Sequence, residues 1–372
     1  MPSIFTKDSL RASVEAATGG RITVLYTATG QPSYMNVIPK FNLEDIDVSL
    51  GVGVHPAFIV GGATKSEIFI GTYQGIDKNG EFLSLPGVDP TASRNFDSFV
   101  SLARANGPGW HCITNAEFAA LALWCWKNSF MPNGNNNYGR DTAAKWETGR
   151  RQDGGTPGEA IGTARTLTGS GPASWRHDNT PTGIADLNGN IWEWSPGMRL
   201  MDGEIQVIPD NDAALPDTDF SAGSSAWRAI LASDGSLVAP GTAGTLKYDS
   251  TNVWSEGNSM MGAPILSDVI DNITGTPGNN ATNEGWNEAA LEALTHKDGL
   301  VVPGIAMALG LYPAASSGLG SDRLYTRNYG ERLPSRGGTW GSGGNAGVFT
   351  LTLNTPRSYA GTTLGSRPAF VL

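Results

Sequence analysis

Gly183-Ile184-Ala185-Asp186-Leu187-Asn188-Gly189-Asn190-Ile191-Trp192-Glu193-Trp194 is the stretch on which the reading of the fold turns. Gly183 and Gly189 permit tight turns. Asp186 and Asn188 are residue types that hydrogen-bond their own backbone in turns. The end of the stretch reads as extended chain. That puts Trp192 and Trp194 on one side, and Ile191 and Glu193 on the other. A piece of this kind can pin several long loops to one core. Taken alone, the two tryptophans read as core packing.

The rest of the chain has a matching composition. Of 372 residues, 49 are Gly and 22 are Pro, and only 16% are charged. Gly runs at nearly twice its usual share of about 7%, and charge falls below the usual share of about 25%. Hydrophobic residues still make up 39%, including 11 Trp, so a disordered chain is excluded. No Gly-X-Y period is present, which excludes collagen. The net charge is -10 and no Lys/Arg-rich run occurs, so no nucleic-acid partner is expected. No stretch of about 18 apolar residues exists, so no membrane insertion is expected. Met1 to Leu10 lacks the apolar core of a secretory signal. Cys112 and Cys125 do not make a disulfide framework. They read as buried free thiols beside Trp110, Trp124 and Trp126.

Along the chain, Lys7 to Ala17 reads as a short helix stopped by Gly19-Gly20. Arg21 to Thr27 and Tyr34 to Ile38 read as strands. Residues 1–54 are expected to form a small N-terminal element for attachment or oligomerisation. Ala57 to Val60 and Glu67 to Gly71 are expected to pair as a hairpin. Asp97 to Asn106 reads as an amphipathic helix with Phe99, Leu102 and Ala103 inward. Thr114 or Asn115 can cap a buried helix through Trp126, with Glu117 in its first turn. Long polar loops follow, over 133–140 and 154–171. Residues from about 200 to 325 read as an insertion in the core domain. Within it, Glu204 to Ile208, Trp227 to Leu231 and Leu246 to Tyr248 read as strands, and Asn287 to Leu294 as a short helix. Val348 to Leu353 reads as an alternating strand.

Four segments in order carry a resemblance. Gly109 to Phe118 (GWHCITNAEF) is similar to "RLPTEAEW". Gly183 to Trp194 is similar to "GLYDMxGNVWEW". Arg336-Gly337-Gly338-Thr339-Trp340 is similar to "RGGSW". Gly365-Ser366-Arg367-Pro368-Ala369-Phe370 is similar to "GFRPA", with Ser366 in place of the usual Phe. Together they resemble the formylglycine-generating-enzyme (sulfatase-modifying factor) branch of the C-type lectin fold. The resemblance implies an α+β, C-type lectin-like domain over 55–372, with long irregular loops and the insertion at about 200–325.

That branch divides into enzymes and binding proteins. Its enzymes use reactive Cys late in the chain, or His ligands to iron. Here no Cys follows Cys125, and His55, His111, His177 and His296 are scattered without metal-ligand spacing. His177 beside Asp178 reads as a surface-loop pair rather than a catalytic one. The expectation is therefore no enzyme and no cofactor. One metal reading stays open, a structural Ca²⁺ on the oxygens of Asp186, Asn188 and Asn190.

The C-terminal segment resembles the variable proteins of diversity-generating retroelements. The frame is Arg336, Gly337, Gly338, Trp340, Gly343, Asn345 to Phe349, Leu351, Leu353, Arg357, Ser358, Gly365 and Arg367 to Ala369. With Trp192 and Trp194, the residues Arg336, Gly337, Gly338, Trp340 and Arg367 are expected to be scaffold. The variable region that the resemblance implies spans about 336–367. Its candidate ligand-binding positions are Thr339, Gly341, Ser342, Gly344, Thr352, Thr355, Tyr359, Gly361, Thr362 and Thr363. In the family such positions commonly derive from Asn codons altered at adenines, which yields Gly, Ser, Thr and Tyr. Strand alternation puts Phe349, Leu351 and Leu353 toward the core, and Thr350, Thr352 and Asn354 outward. Tyr359 is the expected anchor. The resemblance implies a receptor- or ligand-binding protein of a phage tail fibre or prophage, displayed at a surface. Its partner would be a protein or surface receptor, or a glycan, on a host cell, and the expected assembly is a homo-oligomer. The alternatives are a virion structural protein with a fixed surface and, third, a formylglycine-generating-type oxidoreductase.

Overall fold

A computed structural model describes residues 8–253, 260–281 and 284–372. The expected start of the first helix at Lys7, and parts of the 200–325 insertion, lie outside the described residues. The architecture is α+β with sheet dominant.

The first helix is α1 (Ser9–Thr18), capped by Asp8 and ended by Gly19 at φ 61°. A left-handed residue there is what glycine accommodates without cost. Then come β1 (Ile22–Tyr26) and β2 (Pro32–Pro39). They do not stand apart, as expected of 1–54. β2 pairs with β3 (Glu67–Gly71) from Met35↔Gly71 to Pro39↔Glu67. The expected boundary at residue 54 is therefore crossed by one sheet. β3 is taken up by β2, so it forms no hairpin with Ala57 to Val60. Ile59-Val60 pairs instead with Ala63-Thr64 across Gly61-Gly62.

Next come α2 (Phe96–Arg104), β4 (Trp110–Cys112) and α3 (Asn115–Lys127). Thr114 caps α3 in a reciprocal box with Glu117, which satisfies two backbone N–H groups at once. From Asn115 to Leu123 every α3 residue is buried. Both thiols are free and buried. Burial pushes the Cys112 thiol up to about 12 and the Cys125 thiol up as well.

A fourteen-stranded sheet holds the rest. It contains β5 (Trp192–Trp194), β6 (Met198–Met201), β7 (Glu204–Val207), β8 (Arg323–Thr326), β9 (Glu331–Gly337), β10 (Gly347–Thr355) and β11 (Leu364–Gly365). β10 lies between β8 and β9, parallel to the first and antiparallel to the second. β6 and β5 share one edge of β9, at Glu331-Arg332 and at Ser335-Arg336. The last strand, β12 (Pro368–Phe370), returns to the first sheet between β3 and β4.

The expected insertion extends this second sheet. Its strands Lys247–Ser250 and Pro264–Ser267 continue outward from β7. Asn287 to Leu294 is not a helix. Trp286–Ala290 is a strand paired with β8, followed by a single turn at Leu291–Ala293. Pairing with a neighbouring strand overrides local propensity there.

His55, His111 and His177 are buried, and the first and last each accept a backbone N–H. His55 Nδ1 accepts the Ala57 N–H at 3.1 Å, and its Nε2 donates to Ala308 O at 2.9 Å. His177 Nδ1 accepts the Ile184 N–H at 2.8 Å, and its ring lies 5.1 Å from that of Trp124. The surface-loop reading of His177 and Asp178 is thus corrected, because His177 is packed inside. Burial lowers both rings to about 4. Asp322 is buried too, accepts the Phe349 N–H at 2.7 Å, and is raised by burial to about 7.

The signs follow from linkage. Free histidine titrates near about 6.5, so between pH 6.5 and 4 the unfolded chain binds more protons at these rings. Their contribution is full above that window and is lost as pH falls through it. Asp322 acts oppositely, because its folded form holds a proton up to about pH 7. We expect urea midpoints of His55→Gln to fall less on acidification than those of the parent, and those of Asp322→Asn to fall more.

Candidate functional site

Arg367 sits fully buried just before β12. Its Nε and Nη2 donate to the two carboxylate oxygens of Glu193 at 3.0 and 2.8 Å. Nη1 reaches Gly71 O and Nη2 also reaches Ala185 O, both at 2.8 Å. Gln74, absent from the sequence reading, is equally central. Its Nε2 donates to Asp186 O, Ile191 O and Glu193 Oε1. A lone Gln in a loop carries no sequence signal of that role. Arg336 is also fully buried and donates to Asn115 Oδ1, Leu309 O and Gly310 O.

The 183–194 stretch does gather loops. Asn190 Oδ1 accepts from Thr166 N and Asn135 Nδ2, and its Nδ2 donates to Gln74 Oε1. Asn188 Nδ2 donates to Pro132 O, and its Oδ1 accepts from Asn136. Asp186 Oδ2 accepts the Gly169 N–H at 2.8 Å. These are the three residues considered for Ca²⁺. Their side-chain oxygens face N–H donors, which a cation would have to displace. Among the described residues, no group of three His, Cys, Asp or Glu is placed to hold a metal ion. Trp194 is buried with its ring edge-on to Phe96, while Trp192 is half-buried. Ser366 is fully buried, and its Oγ donates to Trp194 O at 2.9 Å.

The candidate ligand-binding positions fall on two turns and one strand. The first turn carries Thr339, Gly341, Ser342 and Gly344. Its backbone is held from behind: Tyr138 N–H donates to Trp340 O, Trp340 N–H to Asn190 O, and Gly343 N–H to Asn136 O. The second turn carries Tyr359, Gly361, Thr362 and Thr363. There Ser93 N–H donates to Gly361 O, Arg165 to Thr362 O, and Trp192 N–H to Thr363 O. Tyr359 is 41% exposed. Thr355 is half-buried at the end of β10.

Thr352 departs from expectation, and Thr350 with it. Phe349, Leu351 and Leu353 are buried in the core as expected, but Thr350 and Thr352 are buried as well, at 0% and 6%. The reason lies on the neighbouring strands. Thr352 is in register with Tyr325 on β8 and Ser335 on β9. Tyr325 and Trp192 start three strand positions apart, about 14 Å at the usual spacing, yet their ring centroids are 6.3 Å apart. The rings lean toward each other and roof the row between them. Thr350 Oγ1 donates to Asn345 O.

The glycines of the region sort into two sets. At Gly338 (φ 90°) an added Cβ would lie 2.6 Å from the Ala346 Cβ, and at Gly347 it would lie 2.0 Å from Asp322. At Gly365 it would lie 2.5 Å from Ile191 and 2.6 Å from Thr91 O. Two candidate glycines have room. At Gly344 no atom lies within 4 Å, and at Gly341 the nearest is Tyr138 Oη at 3.4 Å. At Gly361 an added Cβ would lie 2.8 Å from the Tyr359 hydroxyl, the movable end of another candidate side chain, which would have to shift.

No known family model matches this chain, and no curated protein matches it in sequence.

Two outcomes are expected from this geometry. Gly341→Ser and Gly344→Ser should change unfolding free energy by no more than about 0.5 kcal/mol, whereas Gly338→Ser and Gly347→Ser should cost several times that. Glu193→Gln leaves Arg367 buried without its counter-charge, and chemical denaturation should register a loss of about 3–5 kcal/mol.

Proposed function

We propose that the chain is a ligand-binding protein with a C-type lectin-like fold of the formylglycine-generating-enzyme branch, whose surface over about 336–367 is diversified by a retroelement. The observation that carries this reading is the sorting of the glycines. The frame glycines Gly338, Gly347 and Gly365 have no space for a side chain, and frame Gly343, though open, is held at φ 59°; the candidate glycines Gly341 and Gly344 have space, and Gly361 meets the movable Tyr359 side chain at 2.8 Å. Both candidate turns are held by backbone hydrogen bonds from fixed loops, and in the first turn Thr339 and Ser342 add side-chain bonds of their own. A replaceable surface needs that outside support.

The binding reading is favoured over an oxidoreductase by the state of the thiols and imidazoles. Cys112 and Cys125 are buried with raised pKa values, the opposite of a reactive thiol. His55 and His177 each have Nδ1 engaged by a backbone N–H. His111 is turned to Glu117 at 2.9 Å within the cap of α3. In this reading the partner is a protein receptor or glycan on a host cell, the setting is a phage tail or prophage-encoded surface display, and a homo-oligomer supplies multivalency.

The test is in the DNA of sibling genomes. A reverse-transcriptase gene and a near-identical template copy of the segment are expected nearby. Variation should concentrate at 339–344 and 359–363, spare Gly338, Gly347 and Gly365, and stay small at roofed Thr352. Absence of a template copy, or variation spread evenly over the chain, overturns the proposal.

A further inference from the structure

A second cleft lies far along the chain from the candidate turns, between the β1–β2 hairpin and α3. It encloses about 700 Å³, within the range of small-molecule sites. Its walls are mostly apolar: Val37, Phe41, Leu121, Trp124 and Phe130 line it. Trp124 lies between Phe130 and His177, with ring centroids 6.1 and 5.1 Å away.

One polar group in this wall is left without a partner. His177 is 6% exposed and lines the cleft. Its Nδ1 accepts the Ile184 N–H, which places the ring proton on Nε2. That Nε2–H has no hydrogen-bond acceptor among the described residues and opens onto the cleft, where solvent reaches it. A bound molecule with an acceptor would replace that solvent with a hydrogen bond shielded by the apolar walls.

The mouth carries excess positive charge in a chain of net charge -10. The Arg21 side chain is 61% exposed, and its nearest carboxylate oxygen, on Asp178, is 3.9 Å away. Both Asp178 oxygens already accept from Thr180. Lys40 is exposed at the rim and has no ion pair among the described residues. We propose that this cleft binds a small molecule with an apolar, ring-sized body and a carboxylate head, the body against Trp124 and Phe130 and the head on His177 Nε2–H within reach of Arg21 and Lys40. The site is independent of the diversified surface.

The probes are 2-naphthoate and the uncharged 2-naphthalenemethanol, titrated into the full chain. Tryptophan fluorescence reads binding, and the His177 ring nitrogens are followed by NMR. Saturable binding of naphthoate with a Kd below about 1 mM is expected. The alcohol should bind at least about tenfold more weakly, as loss of a charge-assisted hydrogen bond requires. The His177 Nε2 resonance should move on saturation. Arg21→Ala, at an exposed position, should weaken naphthoate severalfold, and Val37→Trp, which fills the cleft, should abolish binding. His177→Phe should also weaken it, and the ring resonance of the parent decides the role of Nε2 if that variant fails to fold. No saturable binding, or binding unchanged in Val37→Trp, overturns the site. Equal binding of acid and alcohol overturns the carboxylate assignment.

Discussion

A buried guanidinium–carboxylate pair ties the two sheets together across their shared apolar core. Arg367 and Glu193 are 0% and 1% exposed. One precedes the last strand of the five-stranded sheet, and the other sits in β5 of the fourteen-stranded sheet. Burying two charges is expensive, and the arrangement is tolerable only when geometry and remaining hydrogen bonds are satisfied. Here they are. The pair is bidentate, Gln74 adds a third donor to the carboxylate, and the guanidinium also reaches carbonyls of Gly71 and Ala185. Gln74 then passes the constraint to Asn190, and Asn190 passes it to the loops around Asn135 and Thr166.

That chain of contacts explains how so much irregular backbone stays ordered. The loops after Trp126 have no periodicity of their own, and their polar groups are satisfied by one another and by the 183–194 stretch. The same loops then hold the first candidate turn, through Asn136 and Tyr138. Order is transmitted outward from a charged centre through side-chain amides and backbone groups, which on the proposed reading leaves outer side chains replaceable. Few surface charges are needed when buried ones do this work.

Much of this was legible in residues, and the failures have particular causes. The cap at Thr114, the stop at Gly19 and the inward set Phe349, Leu351 and Leu353 rest on local chemistry, and they stand. The misreadings concern partners distant in the chain. Residues 1–54 looked separate because nothing local announces that β2 pairs with β3. Asn287 to Leu294 has helical composition, yet β8 claims it as a strand. The outward placing of Thr350 and Thr352 was right about alternation and wrong about exposure. Period two tells which face a residue takes, and it says nothing of what leans over that face from strands one and two positions away.

The roof over Thr352 also joins the two candidate turns. Trp192 donates its N–H to Thr363 O. Two residues before Tyr325 on β8, Arg323 donates to Asn345 at the end of the first turn at 3.0 Å. The path from one turn to the other therefore runs Thr363, Trp192, Tyr325, Arg323, Asn345, and its middle is a half-buried aromatic pair set edge to face. A ligand broad enough to touch both turns must lie across those rings. Its contacts would then divide between replaceable side chains at the rims and a fixed aromatic centre. On the proposed reading, changing the rims would alter which partner fits, while the rings would supply apolar contact common to every variant.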